Sequence, residues 1–290
     1  MIKVAFATSK EMAELTRDDQ MVFRILDRYG VDVEPAVWDA NHINWQDFGC
    51  VIIRSCWDYH LRLQEFLDWV TDIEKLGIPF YNPPKIVRWN SNKRYLKDLQ
   101  SAGVQVVPME WLGRGAAAQL EQVLQTRGWQ RAVIKPPVGA SAHQTWATTP
   151  GQPRADQERL ERMLAEHEEV LVQPFLEDIP TRGEWSLVFF EGQYSHAVVK
   201  KPAEGDFRVQ AKYGGRVFKK DPPHRLIRQA QTALSKIEEP CLYARVDGIE
   251  SKGQFLVTEV ELIEPELFLR FHPRAPERFA DAIAAKLNPF

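Results

Sequence analysis

Short apolar runs alternate with amphipathic helical patterns through residues 1–90, and that order leaves few folds open. Residues 2–7, IKVAFA, suit a buried strand. Val22, Ile25, Leu26 and Tyr29 then share one helical face, and Gly30 stands where a helix stops. Strands are predicted over residues 31–37 and 50–53. Leu63, Phe66, Leu67 and Val70 mark another helix, closed near Gly77, ahead of a strand over 78–81. This β-α-β-α order predicts a parallel, Rossmann-like sheet. Asn82-Pro83-Pro84 breaks the pattern and marks a boundary.

Beyond it the pattern is mixed. Helices are predicted over 92–102, 116–127, 156–167, 224–237 and 275–287. Strands are predicted over 104–108, 132–135, 170–173, 185–191, 194–199, 242–246 and 255–262. Neighbouring strands with short connections suit antiparallel hairpins. The coarse class is therefore α/β followed by α+β. Residues 200–223 read as one long irregular segment rich in lysine and arginine. Such a loop is either a solvated surface or a cover over an anionic ligand.

The chain has 290 residues and a formal net charge of -3, so it has no global attraction to nucleic acid or anionic membrane. Three cysteines without C-x-x-C spacing argue against a disulfide framework or a thiolate zinc site, and favour a reducing cytoplasm. No apolar run approaches a membrane span, and the N-terminus lacks signal-peptide features. No internal repeat is evident.

The strongest chemical signal is Asp247 with Glu259 and Glu261. Residues two apart on a strand share a face, so Glu259 and Glu261 project together. A hairpin through 251–253 would bring Asp247 beside them. Clustered carboxylates repel unless a cation neutralises them, and Mg²⁺ accepts such oxygens while keeping places for phosphate. The pattern alone fits a solvated acidic strand face equally well.

Lys135 ends a strand and precedes the small residues Gly139, Ala140, Ser141 and Ala142, whose backbone N–H groups can approach an anion. By itself this also reads as a surface turn. No Walker loop occurs. Lys93 stands at a helix start capped by Asn90 or Ser91, where a shared anion would offset its charge. The segment VLVQPFLED offers an apolar wall to a flat ring, or is a core strand with its exit turn. Gly113-Arg114-Gly115 with Ala118 mimics a dinucleotide fingerprint only weakly, and the scattered histidines disfavour zinc.

In this order the motifs resemble the ATP-grasp superfamily, most strongly from Lys93 to Glu261. The resemblance implies an ATP-grasp fold with a Rossmann-like domain over residues 1–90, a central lobe over 91–176 and a metal-binding lobe over 177–290. It implies that Lys93 and Lys135 bind nucleotide, that Gly139 and Ser141 belong to a loop over the phosphates, and that Gln173, Pro174, Phe175 and Leu176 form an adenine hinge. Glu184 or Glu177 would meet the ribose or adenine, and Arg208 would steady the transferred phosphate. Asp247, Glu259 and Glu261 would bind one or two Mg²⁺ ions, with Mn²⁺ as an alternative. Two positions depart from the pattern: Glu261 and Gln210 stand where the superfamily usually has Asn.

Within the superfamily the chain is similar to glutathione synthetase-like enzymes. VIIRSCWDYH, TRGEWSLVFF and ELIEPELFLR resemble the cyclo-ligases that close O-ureido-serine to cycloserine. The implied partners are a small carboxylate and an amine-like nucleophile, with a homodimer left open. Arg54, Trp57 and Asp58 follow a strand end, where parallel sheets bind ligands, and read as substrate contacts or as a surface arginine with core aromatics. Glu264 and Glu266 read as peripheral. A non-catalytic nucleotide-binding module and a ligase that modifies a protein or peptide end are the rival readings.

Overall fold

A computed structural model describes residues 1–114, 120–148 and 153–287. Gly115 and Ala118 of the weak glycine motif lie outside it, as does the start of the helix expected at 116–127.

The first ninety residues fold as the alternation requires. β1 (Ile2–Thr8), α1 (Arg17–Gln20), α2 (Phe23–Arg28), β2 (Val31–Val37), β3 (Cys50–Ser55), α3 (Leu63–Lys75) and β4 (Phe80–Tyr81) follow in order. The strands lie in the order β2-β1-β3-β4, and every pair is parallel. All six β3 residues are buried, as expected for a strand covered on both faces. Phe66, Trp69, Val70 and Ile73 of α3 cover one face.

After α4 (Pro84–Asn90) and α5 (Tyr95–Ser101) comes a second sheet. It contains β5 (Glu110–Gly113), β6 (Ala132–Lys135), β7 (Trp146–Ala147) and β8 (Glu169–Pro174), in the order β5-β8-β6-β7. Two helices, α6 (Leu120–Arg127) and α7 (Pro153–Glu166), accompany it. The strand expected at 104–108 does not form. Val106 makes one isolated bridge to Val257, and Pro108 has no N–H with which to extend it.

The third sheet follows α8 (Asp178–Arg182). Its strands are β9 (Glu184–Phe190), β10 (Gln193–Lys201), β11 (Arg216–Lys219), β12 (Tyr243–Ser251) and β13 (Gln254–Glu261), antiparallel in the order β11-β10-β9-β12-β13. The segment read as wholly irregular therefore contains β11, which leaves loops at residues 202–215 and 220–223. Helix α9 (His224–Leu234) packs on this sheet. Helix α10 (Ala275–Leu287) returns to the first sheet, where Phe279 meets Phe6, Phe190 and Tyr243.

Two buried asparagines join the first part of the chain to the third sheet. The Asn82 amide donates to Tyr243 O and Leu262 O at 2.9 and 2.7 Å, and accepts from Leu242 N at 2.7 Å. Asn90 spans Val260 O and Leu262 N at 2.9 Å each. Val260 N donates to Tyr95 Oη at 2.9 Å. These bonds fix the end of β13 and the face it presents.

Candidate active site

A cavity of about 450 Å³ lies between the second and third sheets. β6, the loop after it and the end of β8 form one wall. The ends of β9, β10, β12 and β13 form the other, with loop residues 207–212 across them. Among the residues expected at the site, Lys93, Lys135, Gly139, Ser141, Gln173, Pro174, Phe175, Leu176, Glu184, Arg208, Asp247, Glu259, Glu261 and Trp57 all line it.

Register explains the centre of the site. Antiparallel pairing sets Asp247 opposite Glu259 and Arg245 opposite Glu261. Arg245 stands two residues before Asp247, on the same face. Its guanidinium donates to Asp247 Oδ1 at 2.9 Å and Oδ2 at 3.0 Å, and also bonds Glu261. Lys200, at the buried end of β10, lies 2.6 Å from Asp247 Oδ2 and 2.9 Å from Glu184 Oε2. Sequence reading passed over Lys200 and Arg245 as site residues.

The cations set the charge states. Burial disfavours the Asp247 charge, yet Arg245 and Lys200 hold its carboxyl down to about 2. Burial also works against Glu259, and Lys93 and Lys135 hold it below the usual range. At Glu261 burial prevails over Arg245, with Asp247 and Glu259 adding to it, and the carboxyl is pushed up to about 7.

Among the described residues no three carboxylate, histidine or cysteine groups converge as a metal cage. All three expected carboxylates are engaged by cations: Asp247 by Arg245 and Lys200, Glu259 by Lys93, and Glu261 by Arg245. Asp247, Glu259 and Glu261 are hard oxygen donors on the same cavity. That donor set fits Mg²⁺, which takes one or two carboxylates and fills its other places with water and phosphate.

The other wall suits a nucleotide. Lys93 Nζ donates to Gly139 O at 2.8 Å and lies 3.0 Å from Glu259 Oε1. Lys135 has no ion-pair partner among the described residues, and burial pushes its pKa down. A buried ammonium in that state calls for an anion. The Gln173 side-chain amide is buried with Nε2 unbonded, as an acceptor on a flat ring would require. In the intervening loop Ser141, Ala142 and Gln144 have φ of 51°, 56° and 50°. His143 meets His60 edge-on at 5.1 Å between ring centres.

Other expectations need correction. Arg54 does not reach the cavity. It is buried, donates to Asp19 Oδ1 at 2.8 Å and Pro265 O at 3.1 Å, and lies over Tyr243 and Phe279. Asp58 also faces away, accepting from Trp38 Nε1 and Arg62 Nη2 at 3.0 Å each. The Glu177 side chain is 75% exposed, off the cavity wall. Asn90 and Ser91 do not cap the helix after Lys93: α5 starts at Tyr95, and Asn90 is committed to β13. Glu264 and Glu266, expected at the periphery, line the cavity.

Comparison with known proteins meets this geometry. Residues 4–82 match the family described as the N-terminal domain of D-cycloserine synthetase DcsG. Cycloserine biosynthesis protein DcsG of Streptomyces lavendulae is 31% identical over 273 residues, 90% of each chain. The chain belongs to the DcsG family of ATP-grasp ligases. The crystal structure of D-cycloserine synthetase DcsG superposes with a TM-score of 0.89 at 27% identity, over 99% of this chain and 100% of that one. D-alanine--D-alanine ligase from Bacillus anthracis shares the fold, with a TM-score of 0.71 at 15% identity over 99% and 98% of the two chains. This DcsG-family chain is accordingly an ATP-dependent ligase. Among the described residues no helix is long and apolar enough to cross a membrane.

Proposed function

We propose that this ligase activates the carboxylate of a small amino-acid-like molecule as an acyl phosphate, and that a nitrogen of the same molecule closes the ring. O-ureido-serine is the proposed substrate and a cycloserine-type ring the product. The similarity to D-cycloserine synthetase supports this, and a cavity of about 450 Å³ suits a nucleotide with a small molecule.

The observation that carries the reading is the division of charge across the cavity. Lys135 on one wall has no ion-pair partner among the described residues, while Glu259 and Glu261 face the cavity from the other. In the proposed reaction Gln173, Pro174, Phe175 and Leu176 hold the adenine. Lys93 and Lys135 bind phosphate oxygens. Asp247, Glu259 and Glu261 would hold one or two Mg²⁺ ions, with Mn²⁺ as a substitute, and that charge would screen the phosphates. The substrate carboxylate attacks the γ-phosphorus, and ADP leaves. Arg208 steadies the phosphoryl group in transit. The O-bound ureido nitrogen then attacks the acyl carbon, phosphate leaves and that nitrogen loses its proton, which closes an N-carbamoyl ring. Water then adds to the carbamoyl group, which departs as CO2 and ammonia and leaves the cycloserine ring. Positioning and charge stabilisation supply the acceleration, and no covalent protein nucleophile takes part. The same reading divides the chain near residues 90 and 176.

The test is ADP release from Mg-ATP across a panel of amino acids that includes O-ureido-serine, with hydroxylamine present. Acid-dependent ADP and a trapped hydroxamate are expected. Release of ADP that no acid stimulates would overturn the reading.

A further inference from the structure

Most charges around the cavity are paired. Lys93 meets Glu259, Lys200 meets Glu184 and Asp247, and Arg270 lies 2.7 Å from both Glu266 and Asp18. Glu264 is different. It is only 9% exposed, yet no cation pairs with it among the described residues. Burial, with Glu261 and Glu259 nearby, pushes its carboxyl well up. A carboxylate buried without a counter-charge is costly, and a ligand cation would offset that cost.

The surroundings narrow the ligand. Glu264 shares the cavity wall with Trp57 and Tyr59, whose rings favour a neighbouring cation. Its backbone is held from two sides: Trp57 Nε1 donates to Glu264 O at 3.1 Å, and Arg54 Nη2 donates to Pro265 O at 3.1 Å. The segment is thus fixed before any ligand arrives. Glu264 follows Glu261 by three residues, a span of at most about 10 Å. A group bound at Glu264 therefore lies close to the place where the proposed reaction needs the substrate carboxylate. An α-amino acid carries its ammonium one carbon away from that carboxylate.

We infer that Glu264 is a substrate-binding residue that receives the α-ammonium of the acid being activated, and so restricts this ligase to amino acids with a free amine. This rests on the ligase reading above. It goes further by assigning a specificity contact to a residue that the sequence pattern places at the periphery.

The test uses the full-length enzyme, the Glu264→Gln and Glu264→Asp variants, and matched pairs of acids. Each pair is an amino acid and the same molecule without its amine: O-ureido-serine with 3-(ureidooxy)propanoic acid, and serine with 3-hydroxypropanoic acid. Binding is followed by calorimetry without nucleotide, and turnover by ADP release with Mg-ATP. The wild-type enzyme is expected to prefer the ammonium-bearing member of at least one pair by 100-fold or more. Glu264→Gln should lose most of that preference, chiefly through KM. Glu264→Asp, which keeps the charge and is the safeguard should the glutamine variant misfold, should lose about tenfold.

Absence of an ammonium preference in every pair overturns the inference. So does a preference that both variants retain, or a Glu264→Gln effect confined to Mg²⁺ dependence. An ammonium preference seen by calorimetry without acid-dependent ADP release supports the inference and removes the acyl-phosphate reading instead.

Discussion

Lys93 Nζ lies 3.0 Å from Glu259 Oε1, so a residue assigned to the nucleotide already neutralises one assigned to the metal. The same ammonium holds Gly139 O at 2.8 Å and thereby anchors the loop after β6. Loss of this cation removes a charged hydrogen bond from both partners. Lys93→Met is expected to raise KM for ATP about 10- to 100-fold. Initial-rate kinetics with varied Mg-ATP check it, and an unchanged KM would remove Lys93 from the phosphate site.

Glu259 is the carboxylate with an open side toward the cavity and no arginine upon it. Glu259→Gln preserves shape and removes charge. Turnover is expected to fall at least about 100-fold at saturating Mg²⁺, with little change in the unfolding midpoint. Chelation of the wild-type enzyme should abolish ADP release, and added Mg²⁺ should restore it.

Arg54 is a structural ion-pair residue. Asp19 is 1% exposed and relies on the Arg54 guanidinium. Arg54→Leu leaves that carboxylate buried without a cation and is expected to cost about 3–5 kcal/mol of stability. Urea unfolding measures it. A variant as stable as the wild type, with only the substrate KM raised, would return Arg54 to the site.

His196 makes the fold sensitive to acid. Burial pushes its imidazole down to about 4, with His272 stacked beside it and Arg278 nearby also disfavouring the charge. The backbone carbonyl of Leu267, 2.8 Å from Nε2, opposes this only in part. The unfolded chain binds this proton near pH 6.5 and the folded one only near 4. Stability should therefore fall as pH drops through that window, by up to about 3 kcal/mol. His196→Gln is expected to flatten this part of the profile in chemical-denaturation curves recorded from pH 7 to 4.

The loop that carries Arg208 closes on itself at Gly215. An added methyl there would sit 2.0 Å from Val209 O, a backbone atom that cannot move alone. Arg208 is held by Asp206 at 2.7 Å and stacked 3.6 Å over Tyr213, so the loop must shift as a unit. Gly215→Ala is expected to lower kcat/KM by up to about 100-fold, with the melting temperature within a few degrees of wild type. ADP-release kinetics and thermal unfolding together check it.

Much of the site was readable because strand ends carry it. AVIK at 132–135 announced Lys135, and the spacing of Glu259 and Glu261 announced their shared face. AVVK at 197–200 repeats the first signal and was lost inside an apparent basic loop. Arg245 was legible in principle, two residues before Asp247 on one strand face. Arg54 could not be placed from sequence. Every residue of β3 is buried, so alternation does not tell which side chain turns toward the cavity. The acid pattern was equally silent on pairing: nothing in the order of residues says that Asp247 bonds two cations while Glu264 has no ion-pair partner among the described residues.

Asn82 reads as part of a break in the chain and Asn90 as a helix cap, and in the fold they act as extra rungs of the third sheet. Their amides copy the donor and acceptor of a peptide group against residues 242, 243, 260 and 262, over 150 positions away in sequence. A break in the chain at residue 90 would strip those rungs from the strand that presents Glu259 and Glu261. The two halves are therefore poor candidates for exchange between relatives as interchangeable modules, because a graft that keeps the sheet but loses either amide would leave the catalytic strand's last peptide groups buried and unbonded.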